Sequence, residues 1–274
     1  MRYGLVGSEM CIRDRIYGLP GAGKTYLAKK LCEYLGDNIA WFNADIVREE
    51  ANDWDFSDEG RQRQSERMLR LCKEAEAEGK VAVADFVAPF FQARLDFNAD
   101  YEVFVDTIKE GRFEDTNKVF ERSAVTMSWQ NESRYHITEW NDIDAKNIAW
   151  IIGNKYIWNN QSPTTQMLGR FQPWHDGHQA LLDRAMAKHG QVALLIRDMP
   201  TSESNPYTAQ QVKDNLQEKL TKYAGRVKII IVPNILNITY GRDVGYKIEK
   251  ESFSKDVEDI SATKIRNAMK KDGG

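Results

Sequence analysis

The chain has 274 residues, 42% hydrophobic and 29% charged, with a formal net charge of −3. That length suits one large or two ordinary globular domains, and no apolar run approaches the length of a membrane span. The slightly negative balance argues against a general electrostatic hold on nucleic acid, and the sparse cysteines (Cys11, Cys32 and Cys72, without metal-ligand spacing) suit a reducing cytosol.

Residues 1–15 are the first anomaly. A strand leading into a buried parallel sheet should be apolar, yet Ile12-Arg13-Asp14-Arg15-Ile16-Tyr17 carries three charges that are costly to bury. Leu5 to Arg15 (LVGSEMCIRDR) also resembles a translated sequencing-adapter tail. Met1–Arg15 is therefore expected to be non-native, with the true strand clipped to its last residues.

Gly18-Leu19-Pro20-Gly21-Ala22-Gly23-Lys24-Thr25 follows and matches G-x-x-x-x-G-K-[ST] at every position. Small residues let successive N–H groups turn inward as an anion nest. Gly18, Gly21, Ala22 and Gly23 supply that backbone, Lys24 a point charge for the β- and γ-phosphates of ATP, and Thr25 a hydroxyl for Mg²⁺. A helix begins directly afterwards, so its N-terminus adds to the phosphate site. Ile39 to Asn43 reads as a second strand ending near Asp45. A carboxylate there can orient an acceptor hydroxyl, accept its proton, or hold Mg²⁺ through water. A helix is expected from about Glu59 to Glu78. Lys80 to Val87 reads as a buried strand ending in Asp85, a further candidate for the metal, and Tyr101 to Thr107 as another strand. Residues 108–125 read as a mobile lid, and Ile143 to Ile152 as a closing helix. Trp158 to Thr165 is the best linker candidate.

A second α/β pattern opens with Met167-Leu168-Gly169-Arg170-Phe171 as a strand end and continues with a helix from about Gly177 to Lys188. Strands at Val192–Ile196 and Val227–Val232 flank a helix at Ala209–Tyr223, and Ser261–Lys271 closes as a helix. Gly169-Arg170-Phe171-Gln172-Pro173-Trp174-His175-Asp176-Gly177-His178 contains H-x-G-H between strand and helix. Three readings fit: a zinc site lacking two further ligands, imidazoles donating to a nucleotide triphosphate, or purely structural histidines. Ser261, Thr263 and Arg266 add hydroxyls at a helix start and a basic side chain able to reach phosphate oxygens. Asn234 to Tyr246 is expected to border an acceptor pocket, with Arg242 either an anion contact there or a solvated surface arginine.

From Gly18 to about Thr107 the chain resembles adenylylsulfate kinase. The matching residues are the glycine-rich loop, Asn43-Ala44-Asp45-Ile46-Val47-Arg48, Phe56-Ser57, Gly60-Arg61 and Asp85-Phe86-Val87-Ala88-Pro89. The resemblance implies a catalytic Asp45 and an acceptor site at Arg48, Phe56, Arg61 and Gln64. The chain departs from the family pattern where that pattern has Asp-Gly-Asp-Asn in place of Asn43 to Ile46, Asn for Gln64, Ser for Asp85, and a basic lid for Gly111 to Asn117.

From about Met167 to Met269, H-x-G-H with Ile-Ser-x-Thr-x-Ile-Arg resembles the nucleotidyltransferase superfamily, nearest its nicotinamide mononucleotide adenylyltransferase branch. The resemblance implies that Gly169, Arg170, Phe171, His175 and His178, with Ser261, Thr263 and Arg266, bind the nucleotide.

The expected fold is thus α/β: a P-loop NTPase parallel sheet at 16–155, a linker at 156–166, and a Rossmann-like H-x-G-H nucleotidyltransferase domain at 167–274. The expected function is that of a cytoplasmic, Mg²⁺- and ATP-dependent bifunctional enzyme with catalytic Lys24, Asp45, His175 and His178, and metal contacts at Thr25, Asp45 and Asp85. Its partners are expected to be small-molecule nucleotides, with no nucleic acid or membrane; a homo-oligomer stays open. The rivals are a nucleotide sensor with one silent half, and a sulfate-activation pair with a sulfurylase-like second half.

Overall fold

A computed structural model describes residues 12–122, 134–239, 241, 245, 247–255, 260 and 265. The chain divides into two units, Met1–Ile152 and Gly153–Gly274.

The first unit is built on a five-stranded sheet in the order β2-β3-β1-β4-β5, parallel throughout. The strands are β1 (Ile12–Tyr17), β2 (Ile39–Asn43), β3 (Val81–Phe86), β4 (Tyr101–Val105) and β5 (Arg134–Ile137). Strand β3 is buried at every residue, as a central parallel strand requires. Helices α1 (Lys24–Leu35), α3 (Asp58–Ala77) and α6 (Asp142–Ile152) supply the larger apolar faces. Leu27 and Leu31 of α1, Met68 of α3, and Ile148 and Ile152 of α6 are fully buried. Three shorter helices, α2 (Ala44–Glu50), α4 (Phe91–Phe97) and α5 (Glu114–Val119), fill the turns between strands. Helix α5 lies inside the segment read as a lid, where little periodicity announced it.

The charged strand β1 includes residues 12–15. These residues pair in register with β3 along their length, and Arg13, Asp14 and Arg15 sit inside the sheet. The two arginines meet partners remote in sequence, although desolvation still lowers the Arg15 pKa to about 9. Arg13 makes a two-pronged pair with Glu76 of α3 and donates to the Phe97 carbonyl. Arg15 pairs with Glu102 of β4 and donates to the Arg94 carbonyl at 2.7 Å. Its guanidinium also lies over the rings of Tyr17 and Phe97.

The second unit carries a three-stranded parallel sheet, β6 (Thr165–Gly169), β7 (Val192–Arg197) and β8 (Val227–Val232), in that order. Alternate residues of β7 are buried, with Val192, Leu194 and Ile196 wholly inside. Helix α7 (Asp176–His189) packs against β6 and β7, and α8 (Ala209–Lys219) against β7 and β8. A reciprocal box caps α8: Thr208 Oγ1 accepts from the Gln211 amide, and the Gln211 side chain accepts from the Thr208 amide.

The stretch read as a linker is part of this unit. Tyr156 and Trp158 are buried, and Thr165 already pairs with Val192. Gln191 fastens the turn between them, donating to the Asn159 carbonyl at 2.9 Å and to Thr164 Oγ1 at 2.7 Å. Polar residues that look solvated in sequence are here tied to one another. Among the described residues no helix is long and apolar enough to cross a membrane.

Candidate functional site

Gly18 begins the turn that leaves β1. Its φ of +149° and its approach to the Val105 carbonyl, where a Cβ would stand 2.2 Å from the oxygen, leave room for glycine alone. Gly21 and Gly23 also have positive φ, and Gly23 is the left-handed N-cap of α1. No side chain caps α1, so its first N–H groups face the loop as an anion nest. Thr107, just past β4, braces the nest by donating to the Ala22 carbonyl at 2.8 Å.

Lys24 Nζ donates to the Leu19 carbonyl at 3.0 Å. Desolvation pushes its pKa down to about 8, against the pull of Asp85 and Asp45. Thr25 Oγ1 donates to Asp85 Oδ2 at 2.7 Å. Asn43, the last residue of β2, joins these groups to α2. Its side-chain oxygen accepts from the amides of Asp45 and Ile46, and its amide nitrogen donates to both Asp85 oxygens at 3.0 Å and to Thr25 at 3.2 Å. Trp41 Nε1 adds a further donor to Asp85 at 3.2 Å. Burial raises the Asp85 pKa, while the donors from Thr25, Trp41 and Asn43 oppose that shift.

These residues line a cleft of about 750 Å³. Lys24, Thr25, Asp45 and Asp85 stand along it, as do Arg61 and the rings of Trp54, Phe56 and Phe113. Each of those three rings is more than half exposed.

The other expected acceptor residues are divided. Arg61 lines the cleft but is already engaged. It donates to the Phe56 carbonyl at 2.8 Å, to Asp115 Oδ2 at 2.6 Å and to Thr116 Oγ1 at 3.3 Å. Arg48 is buried away from the cleft wall. It ties the carbonyls of Asp53 and Asp55 at 2.9 Å each and lies 4.7 Å beneath the Phe56 ring. Gln64 is buried too and donates to the Ala44 carbonyl at 3.0 Å. Arg48 thus holds the loop before α3 and Gln64 the start of α2, and neither lines the cleft. The sequence reading missed Asn43, Trp54, Phe113 and Asp115. Asn43 had a visible signal, a strand-end Asn directly before a helix.

In the second unit, His175 is the N-cap of α7, and its ring stacks on that of His178 with centroids 3.8 Å apart. Phe171 and Trp174 pack around His178. Phe171 has a φ of +52° and folds back over Gly169, where a Cβ would meet its ring at 2.8 Å. Arg170 donates to Asn205 Oδ1 at 3.2 Å, and Gln172 accepts from the Tyr207 amide. Burial, and the neighbouring His175, lower the His178 pKa to about 4; burial also lowers that of His175. Among the described residues no set of three or more His, Cys, Asp or Glu side chains could hold a metal ion. Ser261, Thr263, Arg266 and Arg242 lie outside the described residues.

A glycine-rich nest at a helix N-terminus, a loop lysine and a Thr–Asp pair at the strand ends define the first unit as a P-loop domain within a parallel α/β sheet. Residues 15–123 match the family model of adenylylsulphate kinase. The first unit is accordingly an adenylylsulfate kinase-like P-loop domain. Similar solved structures include the APS kinase CysC of Mycobacterium tuberculosis, with 20% identity over 50% of this chain and 93% of that one and a TM-score of 0.39. Another is the shikimate kinase of Acinetobacter baumannii, with 19% identity over 54% of this chain and 96% of that one and a TM-score of 0.38. No curated protein matches the chain.

Proposed function

We propose that the chain is a bifunctional ATP-dependent enzyme, a kinase in its first unit and a nucleotidyltransferase in its second. The kinase reading is carried by one observation: the phosphate nest, Lys24, Thr25, Asp45 and Asp85 share a single cleft. The nest and Lys24 hold the β- and γ-phosphates of ATP. Asp45 takes the proton of an acceptor hydroxyl as that oxygen attacks the γ-phosphorus. The bond from the γ-phosphorus to the bridging oxygen breaks, and ADP leaves with its electron pair. The exposed rings beside Asp45 favour a small, ring-bearing, nucleotide-like acceptor. Thr25 Oγ1 and the Asp85 carboxylate form a hard oxygen pair that fits Mg²⁺ better than a softer metal, and bound Mg²⁺ would neutralise charge on the phosphates.

In the second unit the stacked imidazoles at the start of α7 support a triphosphate site. A phosphate oxygen of the acceptor attacks the α-phosphorus of ATP or CTP, the α–β bridging bond breaks, and pyrophosphate leaves. His175 and His178 donate to the triphosphate, and no covalent enzyme intermediate forms. By resemblance, Ser261, Thr263 and Arg266 hold its β- and γ-phosphates.

The test is to incubate the protein with ATP and Mg²⁺ against an acceptor panel while reading ADP and pyrophosphate separately. The panel includes adenylylsulfate, nucleosides and nicotinamide mononucleotide. ADP formation lost in Lys24→Ala, and pyrophosphate formation lost in His178→Ala, are expected. Neither product with any acceptor would overturn the reading.

A further inference from the structure

The acceptor end of the P-loop cleft has an unusual charge arrangement. Arg61, whose side chain is 8% exposed, faces the cleft, yet its guanidinium is bonded to Asp115 and Thr116 of α5. Arg48 is spent on backbone carbonyls. Arg63 pairs with Asp53 and Asp55, and Arg67 with Asp53. The guanidinium of Arg67 holds Asp53 well below the ordinary carboxylate range. Each arginine between residues 48 and 67 is thus bonded to the protein's own oxygens. Arg112 also lines the cleft, but it lies at the phosphate end, with Nε 3.6 Å from where a Cβ on Gly21 would stand. It belongs with the donor phosphates.

An acceptor carrying an anion at this end would have to take Arg61 from Asp115 and Thr116. It would then sit beside the displaced Asp115 and near Asp45, both carboxylates of the same cleft. Like charges so placed select against an anion, whereas a neutral hydroxyl compound leaves the Arg61–Asp115 pair intact. Trp54, Phe56 and Phe113 meanwhile offer exposed ring faces for a flat ring.

We propose that Asp115 occupies the place of an acceptor anion, and that the kinase acceptor is a nucleoside: a flat base with free hydroxyls and no phosphate or sulfate beside Arg61. This narrows the kinase reading above and rests on it. Asp115 acts as a specificity residue from α5.

The test uses the full chain with Mg²⁺ and a saturating non-hydrolysable ATP analogue, so that donor phosphate sites are filled. Four common nucleosides and their 5′-monophosphates are titrated by calorimetry into the wild type, Asp115→Asn and Phe56→Ala. At least one nucleoside is expected to bind the wild type tenfold or more tighter than its monophosphate, with the binding lost in Phe56→Ala. In Asp115→Asn the affinity of the monophosphate relative to the nucleoside should rise fivefold or more. The Asp115 side chain is 63% exposed, so this variant keeps the fold.

Equal or tighter binding of the monophosphate by the wild type would overturn the proposal. So would an unchanged ratio in Asp115→Asn, or the absence of any binding sensitive to Phe56. The two readings fail separately. Nucleoside preference without ADP formation from ATP would sink the kinase activity alone. Lys24-dependent ADP formation with adenylylsulfate as the preferred acceptor would sink the nucleoside assignment alone.

Discussion

Arg13 in the central strand and Glu76 on α3 form a two-pronged ion pair, Nε to Oε1 at 2.7 Å and Nη2 to Oε2 at 3.0 Å, with side chains only 12% and 4% exposed. A pair buried this far is costly to break from one side, because the abandoned charge stays desolvated. Arg13→Met alone should destabilise the first unit by about 3–5 kcal/mol, whereas Arg13→Met with Glu76→Leu should be neutral or stabilising by about 1–4 kcal/mol. Chemical denaturation of the three proteins decides it. A double variant as unstable as the single one would mean that the strand depends on the charges themselves.

Lys24 gives a pH prediction for ligand binding. Its pKa in the free protein is about 8 rather than 10.5, so between those values the folded chain holds fewer protons than the unfolded chain and stability rises with pH. Bound phosphates favour the charged amine, so nucleotide binding at pH 8 should take up roughly half a proton at this site. Calorimetry in buffers of different ionisation enthalpy measures that uptake. Lys24→Met should abolish it, and equal uptake in that variant would place the proton elsewhere.

His178 gives a dependence of the same sign, at lower pH, in the second unit. Burial and His175 lower its pKa from 6.5 to about 4, so the folded chain resists a proton that the unfolded chain accepts. Its neutral form costs nothing above pH 6.5, and stability is lost as the pH falls from 6.5 towards 4. Between about pH 7.5 and about pH 5, melting of this unit should therefore fall further in the wild type than in His178→Asn. Parallel melting curves would show that the imidazole is not held neutral. Histidine NMR gives a direct check, with titration below the ordinary value in the free protein and an upward shift when triphosphate binds.

Much of the first unit was legible because its signals are local. The G-x-x-x-x-G-K-T loop, the apolar run of β3 and the position of Asp85 depend on neighbours a few residues away. The pairing of the charged strand β1 was not legible because its partners are distant: Glu76 and Glu102 stand on other elements. The same distance hid the fate of Arg48 and Arg61. A sequence shows that a guanidinium is present but not that backbone carbonyls or an aspartate on α5 already occupy it. Short elements such as α2 and α5 gave no periodicity to read, being two turns or less. In the second unit the strand–H-x-G-H–helix order was legible, while the polar stretch before β6 gave no sign of its partner, Gln191, far along the chain.

Asn43 and Asp85 occupy paired positions on adjacent strands, and their side chains meet at 3.0 Å. The adenylylsulfate kinase pattern has Asp at the first position and Ser at the second, so this chain carries its carboxylate on the neighbouring strand. The site keeps one carboxylate beside Thr25, supplied from β3 instead of β2. Asn43→Asp alone sets two carboxylates against each other, and one must take up a proton or move apart. Asp85→Ser alone leaves Thr25 without its acid. Each single change should lower Mg²⁺-dependent nucleotide affinity by about tenfold or more, since 1.4 kcal/mol already corresponds to a factor of ten. The double change, Asn43→Asp with Asp85→Ser, should recover most of that loss, because Asp at 43 can still cap α2 and its carboxylate faces the same hydroxyl. Titrating Mg²⁺ at fixed nucleotide in the four proteins measures the coupling. Additive losses in the double variant would show that the two positions act independently and that the exchange is not compensatory.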